Sequence, residues 1–232
     1  MKKNLVVLTG AGISAESGIS TFRDSGGLWE KYKVEDVATP EGWHKDKTLV
    51  TDFYNQRRKQ LLETQPNFGH IGLTELEQWF NVFVITQNVD NLHERAGNSS
   101  VLHLHGELTK VRSERYEHLI YELTPDKYEV KIGDLCEKGY QLRPHIVWFG
   151  EVVPMMDKAI EITQQADVLV VIGTSLNVYP AAGLLHYAPS STLIYLIDPN
   201  EVSINKKNVR IIKKGASEGV KELIKDLTIW SN

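Results

Sequence analysis

Cysteine is nearly absent: Cys136 is the only one in 232 residues. That excludes a disulfide within one chain and any all-cysteine zinc site that one chain could build. No apolar run approaches the ~20 residues of a membrane-spanning helix. Lys2 and Lys3 precede only Leu5 to Leu8, too short for a signal-peptide core, so a cytoplasmic location with no membrane partner is expected. A large excess of one charge is missing too. The 26 basic and 30 acidic residues leave a net charge of −4. A strongly cationic surface is thereby excluded as the dominant theme, though not a local patch, and no nucleic-acid partner is expected. Repeats and low-complexity tracts are lacking, and 41% apolar with 24% charged residues leaves no room for long disorder. The chain exceeds the ~150 residues of an average domain, which suggests one large domain or a domain with an inserted lobe. At this size roughly 70% of the unfolded surface is buried, enough for a core without staples.

What is present begins with four continuous apolar runs: Leu5 to Leu8, Val82 to Ile85, Val168 to Ile172 and Leu193 to Ile197. Runs of this kind mark strands buried on both faces of a parallel sheet. Helical patterns at Met156 to Gln165 and Glu218 to Leu227 lie between or after them. An α/β layered domain with a mainly parallel sheet is expected. Residues 30 to 72 are helical, polar and punctuated by Pro40, Gly42 and Pro66. Residues 108 to 142 are charged, with short alternating pieces such as Tyr128 to Ile132. Both read as insertions that pack together as a second, smaller lobe.

Directly after the first strand, Gly10-Ala11-Gly12-Ile13-Ser14-Ala15 fits the pattern G-x-G-x-x-G/A. Its glycines let backbone approach a pyrophosphate at a helix N-terminus. A bare strand-to-helix turn would use the same residues. An ordinary dinucleotide fold would add an acidic residue ending a second strand ~20 positions on. Here that place falls in the loop Gly26 to Glu30, which disfavours a plain dehydrogenase.

The longer run Gly10 to Ile19, with Thr21-Phe22-Arg23-Asp24 and Gly27-Leu28-Trp29, resembles the sirtuins, the NAD-dependent protein lysine deacylases. The resemblance continues at Thr86 to His93, Leu104 to Glu107, Leu142 to Glu151 and Gly173 to Leu176, in family order along most of the chain. It implies a Rossmann-like NAD-binding domain over residues 1–29, 73–107 and 143–232. Residues 30–72 and 108–142 would form the inserted lobe, with NAD and acyl-lysine meeting between the two. By the same resemblance Gly10, Ala11 and Gly12 wrap the pyrophosphate, and Phe22 and Arg23 cover the cofactor. Gln87, Asn88 and Asp90 line the ribose and nicotinamide pocket. Gly173, Thr174 and Ser175 hold the adenosine side with Asp198, Asn200 and Ala216. Glu16, Thr21, Trp29 and Val89 fall in the same blocks and join the cofactor set, although a plain helix-terminal charge explains Glu16 equally well.

In the family's mechanism the acyl oxygen displaces nicotinamide at the ribose carbon, and a base then helps a ribose hydroxyl attack the acyl carbon. That base must titrate near neutrality, which suits histidine. Polar groups such as Asn88 and Asp90 would act electrostatically as charge builds at the ribose. Of the eight histidines, His103 and His105 lie two apart on a strand-like alternation and face one side. Composition does not choose between them; the His-Gly-Glu match selects His105, with Asn88 as its catalytic companion.

Leu49 to Thr64 reads as a helix with Val50, Phe53, Tyr54 and Leu61 on one side. Arg57 falls inside that stripe, and Arg58 turns toward its edge. A guanidinium on an apolar face is costly unless it meets an anion or several acceptors. An internal ion pair or snorkelling would satisfy that need. The Tyr54-x-x-Arg57 spacing also resembles the pair that marks sirtuins acting on succinyl- and malonyl-lysine, where a bidentate fork grips the distal carboxylate. The acylated peptide would bind as an extended strand along Phe149-Gly150-Glu151 and Val178, with Val147 and Phe149 against the lysine methylenes.

Most sirtuins carry two CxxC pairs in the small lobe. Here only Cys136 remains, with Gly139 at its partner position and Ser113 and Tyr116 near the other pair. One thiolate does not make a structural zinc site, so no metal is expected. The segment Asp198-Pro199-Asn200 also departs from relatives that place asparagine first. General protein deacetylation, protein ADP-ribosylation and a catalytically silent NAD-binding module are the competing functions.

Overall fold

The four apolar runs become the middle of one sheet in the computed structural model of the protein, which describes residues 2–19, 31–174, 181–200 and 208–229. In chain order its strands are β1 (Lys3–Thr9), β2 (Phe80–Thr86), β3 (Val101–His103), β4 (Gly106–Ser113), β5 (Ile120–Glu122), β6 (Leu142–Ile146), β7 (Val168–Ile172), β8 (Leu193–Ile197) and β9 (Val209–Ile212). The α-helices are α1 (Gly12–Ala15), α2 (Val34–Val37), α3 (Pro40–Lys45), α4 (Lys47–Glu63), α5 (Phe68–Leu76), α6 (Leu92–Arg95), α7 (Met156–Thr163) and α8 (Ala216–Ile229). None of the described helices is long and apolar enough to cross a membrane.

The large sheet runs β3-β2-β1-β7-β8-β9, with every pairing parallel. Side chains alternate across it with period two. Leu5, Val7, Val170 and Tyr195 face Leu73 and Leu76 of α5 and Val220 and Leu223 of α8. Val6, Leu8, Val171 and Leu196 face Ala159 of α7 on the other side. Two buried faces explain why these strands read as unbroken apolar runs. The chain leaves β1 toward β2 on one side and sets β7 on the other, so the carboxyl ends of β1 and β7 flank a crevice of the kind where α/β sheets take ligands.

The small lobe is an antiparallel sheet, β5-β4-β6, packed against α2 to α4. Their shared core holds Val37, Trp43, Val50, Phe53, Tyr54, Leu108, Ile146 and Trp148. The expected lobe limits need correction. The 72/73 join falls inside α5, which begins at the Asn67 cap and packs on the large sheet and α8. The 107/108 and 142/143 joins fall within β4 and β6. Tyr128 to Ile132 is not a strand: Val130 is instead tied through its N–H and carbonyl to the Asn55 side chain of α4, at 3.0 and 2.8 Å.

The reading of α4 is also corrected. Arg58, not Arg57, is the deeply buried arginine, 3% exposed. It donates to the Leu108 carbonyl at 2.8 Å and to Asn55 Oδ1 at 2.9 Å, which is what makes a buried guanidinium tolerable. Arg57 is half-buried at the edge of the stripe.

Candidate active site

At the crevice, backbone meets backbone. The Gly10 N–H donates to the Ile172 carbonyl at 3.0 Å and the Gly12 N–H to the Gly173 carbonyl at 2.9 Å. A Cβ on Gly12 would lie 2.6 Å from Gly173 Cα, and one on Gly10 2.7 Å from Thr174 Cβ. Only glycine permits this approach, and it leaves Ala11 and the start of α1 at the mouth of the crevice.

Behind the cradle lies a buried polar network. Asn88 Nδ2 donates to the Gly10 carbonyl at 3.2 Å and to Ser14 Oγ at 3.1 Å, and Ser14 Oγ donates to Asp90 Oδ2 at 3.0 Å. The Asn88 N–H donates to Thr86 Oγ1, which accepts from Thr9 Oγ1. Burial pushes the Asp90 carboxyl up, against the pull of the Leu92 N–H and the Ser14 hydroxyl. Gln87 donates to Thr174 Oγ1 at 3.1 Å, joining the ends of β2 and β7. Val89 beside it is half-buried, and its carbonyl accepts from the Leu108 N–H at 2.7 Å. Ser14 and Thr86 carry this network although the sequence reading passed over them. Their signal was polarity inside otherwise apolar buried segments.

The two candidate histidines are separated by their partners. His103 has both ring nitrogens engaged, Nδ1 with the Asn88 carbonyl at 3.0 Å and Nε2 with Glu94 Oε1 at 2.8 Å. Burial disfavours its charged form, but Glu94 outweighs that and holds its pKa above the ordinary value. His105 donates Nδ1–H to the Gln87 carbonyl at 2.9 Å. That bond sets the tautomer and leaves Nε2 as a lone-pair acceptor. Burial lowers the pKa of His105, opposed by the Gln87 bond. The next residue, Gly106, has φ +79°, and the His145 carbonyl occupies the place of a side chain. The His-Gly pair therefore turns the chain sharply into β4.

Tyr54 is buried in the small-lobe core, its hydroxyl accepting from Trp148 Nε1–H at 2.9 Å. Arg57 Cζ is 5.7 Å from the Tyr54 ring and 5.8 Å from the Phe53 ring. Burial lowers the pKa of Arg57, while Tyr54 and Asp90 favour its charge. The segment Phe149-Gly150-Glu151 is a turn rather than an extended edge. The Phe149 N–H is given to the Ala38 carbonyl and the Glu151 N–H to that of Trp148. Phe149 is 50% exposed and Val147 half-buried. The Glu151 carboxylate grips Arg143 with both oxygens, at 2.8 and 3.1 Å, and accepts from the Trp148 N–H at 2.8 Å.

At the other end of the crevice, Asp198 Oδ1 accepts from the Asn200 N–H at 2.8 Å, closing a turn after β8. Ala216 is buried at the start of α8. Glu16 Oε1 accepts from the Ser217 N–H at 3.2 Å, so its carboxylate caps α8. Thr21, Phe22, Arg23, Trp29, Ser175 and Val178 lie outside the described residues.

In the small lobe two of the positions matched to the CxxC pairs, Cys136 and Ser113, meet. Cys136 Sγ–H donates to Ser113 Oγ at 3.4 Å, and Tyr116 and Tyr140 stack edge-on at 5.5 Å. Among the described residues no group of three or more His, Cys, Asp or Glu is placed to hold a metal.

A doubly wound parallel sheet with a glycine cradle at its switch point defines a dinucleotide-binding α/β protein. The Sir2 family model matches residues 10–180, and the chain belongs to that family. An NAD-dependent protein deacylase of Bacteroides thetaiotaomicron is 64% identical over 225 residues, spanning 95% of this chain and 96% of the relative. Another, from Helicobacter pylori, is 53% identical over 226 residues, 97% of each chain. A Sir2 homologue solved in complex with NAD superposes with a TM-score of 0.88 at 39% identity, covering all of this chain and 91% of the other.

Proposed function

We propose that the protein is an NAD-dependent protein-lysine deacylase that favours succinyl- and malonyl-lysine over acetyl-lysine, yielding nicotinamide and O-acyl-ADP-ribose. The relatives' activity and the near-complete coverage support the reaction class. The cradle suits a dinucleotide: glycine at 10 and 12 lets the loop after β1 pack directly on Gly173 and Thr174, which sets the start of α1 at the carboxyl ends of β1 and β7. Gly10, Ala11, Gly12, Gly173 and Thr174 would hold that part, with Gln87, Asn88, Val89 and Asp90 around the ribose and nicotinamide. When bound, NAD supplies an electrophilic ribose carbon and a nicotinamide leaving group.

The remaining work belongs to the chain. Burial favours neutral His105, whose Nε2 meets no partner among the described residues, so it takes a proton from a hydroxyl brought to that nitrogen. Asn88 and Asp90 are fixed by Ser14 and Thr86 before any ligand arrives, so their dipole and charge need no reorganisation when positive charge develops. Acyl-lysine would enter beside Tyr54 and Arg57. What carries the acyl preference is the juxtaposition of a partly desolvated guanidinium and a phenol hydroxyl on one helix, a pair suited to a carboxylate.

The test compares deacylation of one peptide carrying acetyl-, malonyl- or succinyl-lysine, by wild type and Arg57→Met. Wild type should prefer the acidic groups, and Arg57→Met should cut the succinyl-to-acetyl ratio of kcat/KM by about tenfold or more, as expected when a charge-assisted pair is lost. An unchanged ratio would make Arg57 structural and the enzyme a general deacetylase.

A further inference from the structure

Tyr54 is 1% exposed, yet among the described residues its hydroxyl is only ever an acceptor. The Trp148 indole nitrogen lies 2.9 Å away, and an indole N–H donates only. The Arg57 guanidinium carbon lies 5.7 Å from the Tyr54 ring, and arginine has no acceptor to offer. Among the described residues the phenol proton is therefore a buried donor with no acceptor, an arrangement a folded protein keeps for a reason.

Trp148 is itself held from behind. It is 2% exposed, and Arg143 Cζ stacks 3.4 Å from its ring. Arg143 is clamped by both oxygens of Glu151, which also accepts the Trp148 backbone N–H. The chain Glu151, Arg143, Trp148, Tyr54 thus fixes one ring after another, and an accepted hydrogen bond strengthens the donor on the same oxygen.

Resting on the proposed acyl preference, we infer that Trp148 is a positioning residue for acyl selectivity. By occupying the acceptor side of Tyr54 Oη it aims the phenol proton at the ligand, where Tyr54 donates to the distal carboxylate beside Arg57. Acetyl-lysine has no carboxylate there and draws nothing from this arrangement.

The experiment is Trp148→Phe, which keeps a buried ring and removes the N–H, assayed alone and with Tyr54→Phe on acetyl- and succinyl-lysine peptides. Trp148→Phe should lower the succinyl-to-acetyl ratio of kcat/KM about three- to tenfold through the succinyl KM, the range for one neutral hydrogen bond. In a Tyr54→Phe background it should add nothing further. An unchanged ratio, or an undiminished effect in that background, overturns the inference while leaving a succinyl-preferring wild type intact. A wild type that prefers acetyl-lysine overturns the acyl reading and this inference together. If Trp148→Phe does not fold, indole N–H resonances of the wild type replace it. Succinyl-lysine peptide should displace the one resonance that Tyr54→Phe also moves, and acetyl-lysine peptide should not; equal displacement, or none, overturns the inference.

Discussion

His105 and His103 show how much a single hydrogen-bond partner decides. Both give Nδ1 to neighbouring carbonyls, those of Gln87 and Asn88. Among the described residues only His103 of the two meets a carboxylate at Nε2, which favours its charged form. His105 has burial lowering its pKa and one backbone bond opposing that. A general base works only when neutral. The acidic limb of kcat/KM should therefore have its midpoint below the ordinary histidine value of 6.5, and activity should persist into mildly acidic buffer. A pH–rate profile checks this, and a midpoint above 6.5 would point to a carboxylate-paired base instead.

At the scale of elements, local bonds tie the small lobe together around Cys136. Ser113 Oγ accepts from the N–H groups of Arg115 and Tyr116, and the Gly139 N–H closes a turn on the Cys136 carbonyl. These two turns face each other through the Cys136–Ser113 hydrogen bond. Prolonged chelator treatment should leave the Tm unmoved, whereas a zinc-stapled lobe would lose stability when stripped. Thermal melts with and without chelator decide it. Other elements differ in how far the sequence displays them. β1, β2, β7 and β8 are legible because burial on both faces demands unbroken apolar residues. β3 and β9 are not, being three and four residues long, with His103 ending one and Arg210 interrupting the other. In α4 the spacing locates the buried face but does not rank Arg57 against Arg58, which sit one residue apart. The Leu108 carbonyl on β4 makes that choice, and it arrives from 50 residues away. The cradle glycines and His105 are legible as motifs, whereas the Trp148–Tyr54 bond joins positions 94 residues apart and leaves no local trace.

At the scale of the molecule, acid should loosen the site by way of its foundations. His70 and His93 are fully buried with rings 4.9 Å apart. They abut Ser14 and Thr9, the hydroxyls beneath Asn88 and Asp90. Burial pushes His70 down to about 4 and His93 well below 6.5. The unfolded chain binds these protons from near pH 6.5 downward while the folded chain refuses them, so their stabilisation is complete above 6.5 and lost as pH falls. Each group contributes ~1.4 kcal/mol of loss per pH unit until its folded pKa is reached. His103, raised by Glu94, has the opposite sign: its contribution is full below 6.5 and lost as pH rises through its folded value. With His105 and His145 lowered as well, His103 is the one histidine of opposite sign and the acid side dominates. Urea unfolding between pH 6.5 and 5 should therefore show a decline of about 2–3 kcal/mol per pH unit. A flat profile would mean that the pair is already protonated in the fold. The decline should shrink in His93→Asn, which removes one titrating ring and keeps a polar partner within reach of Thr9.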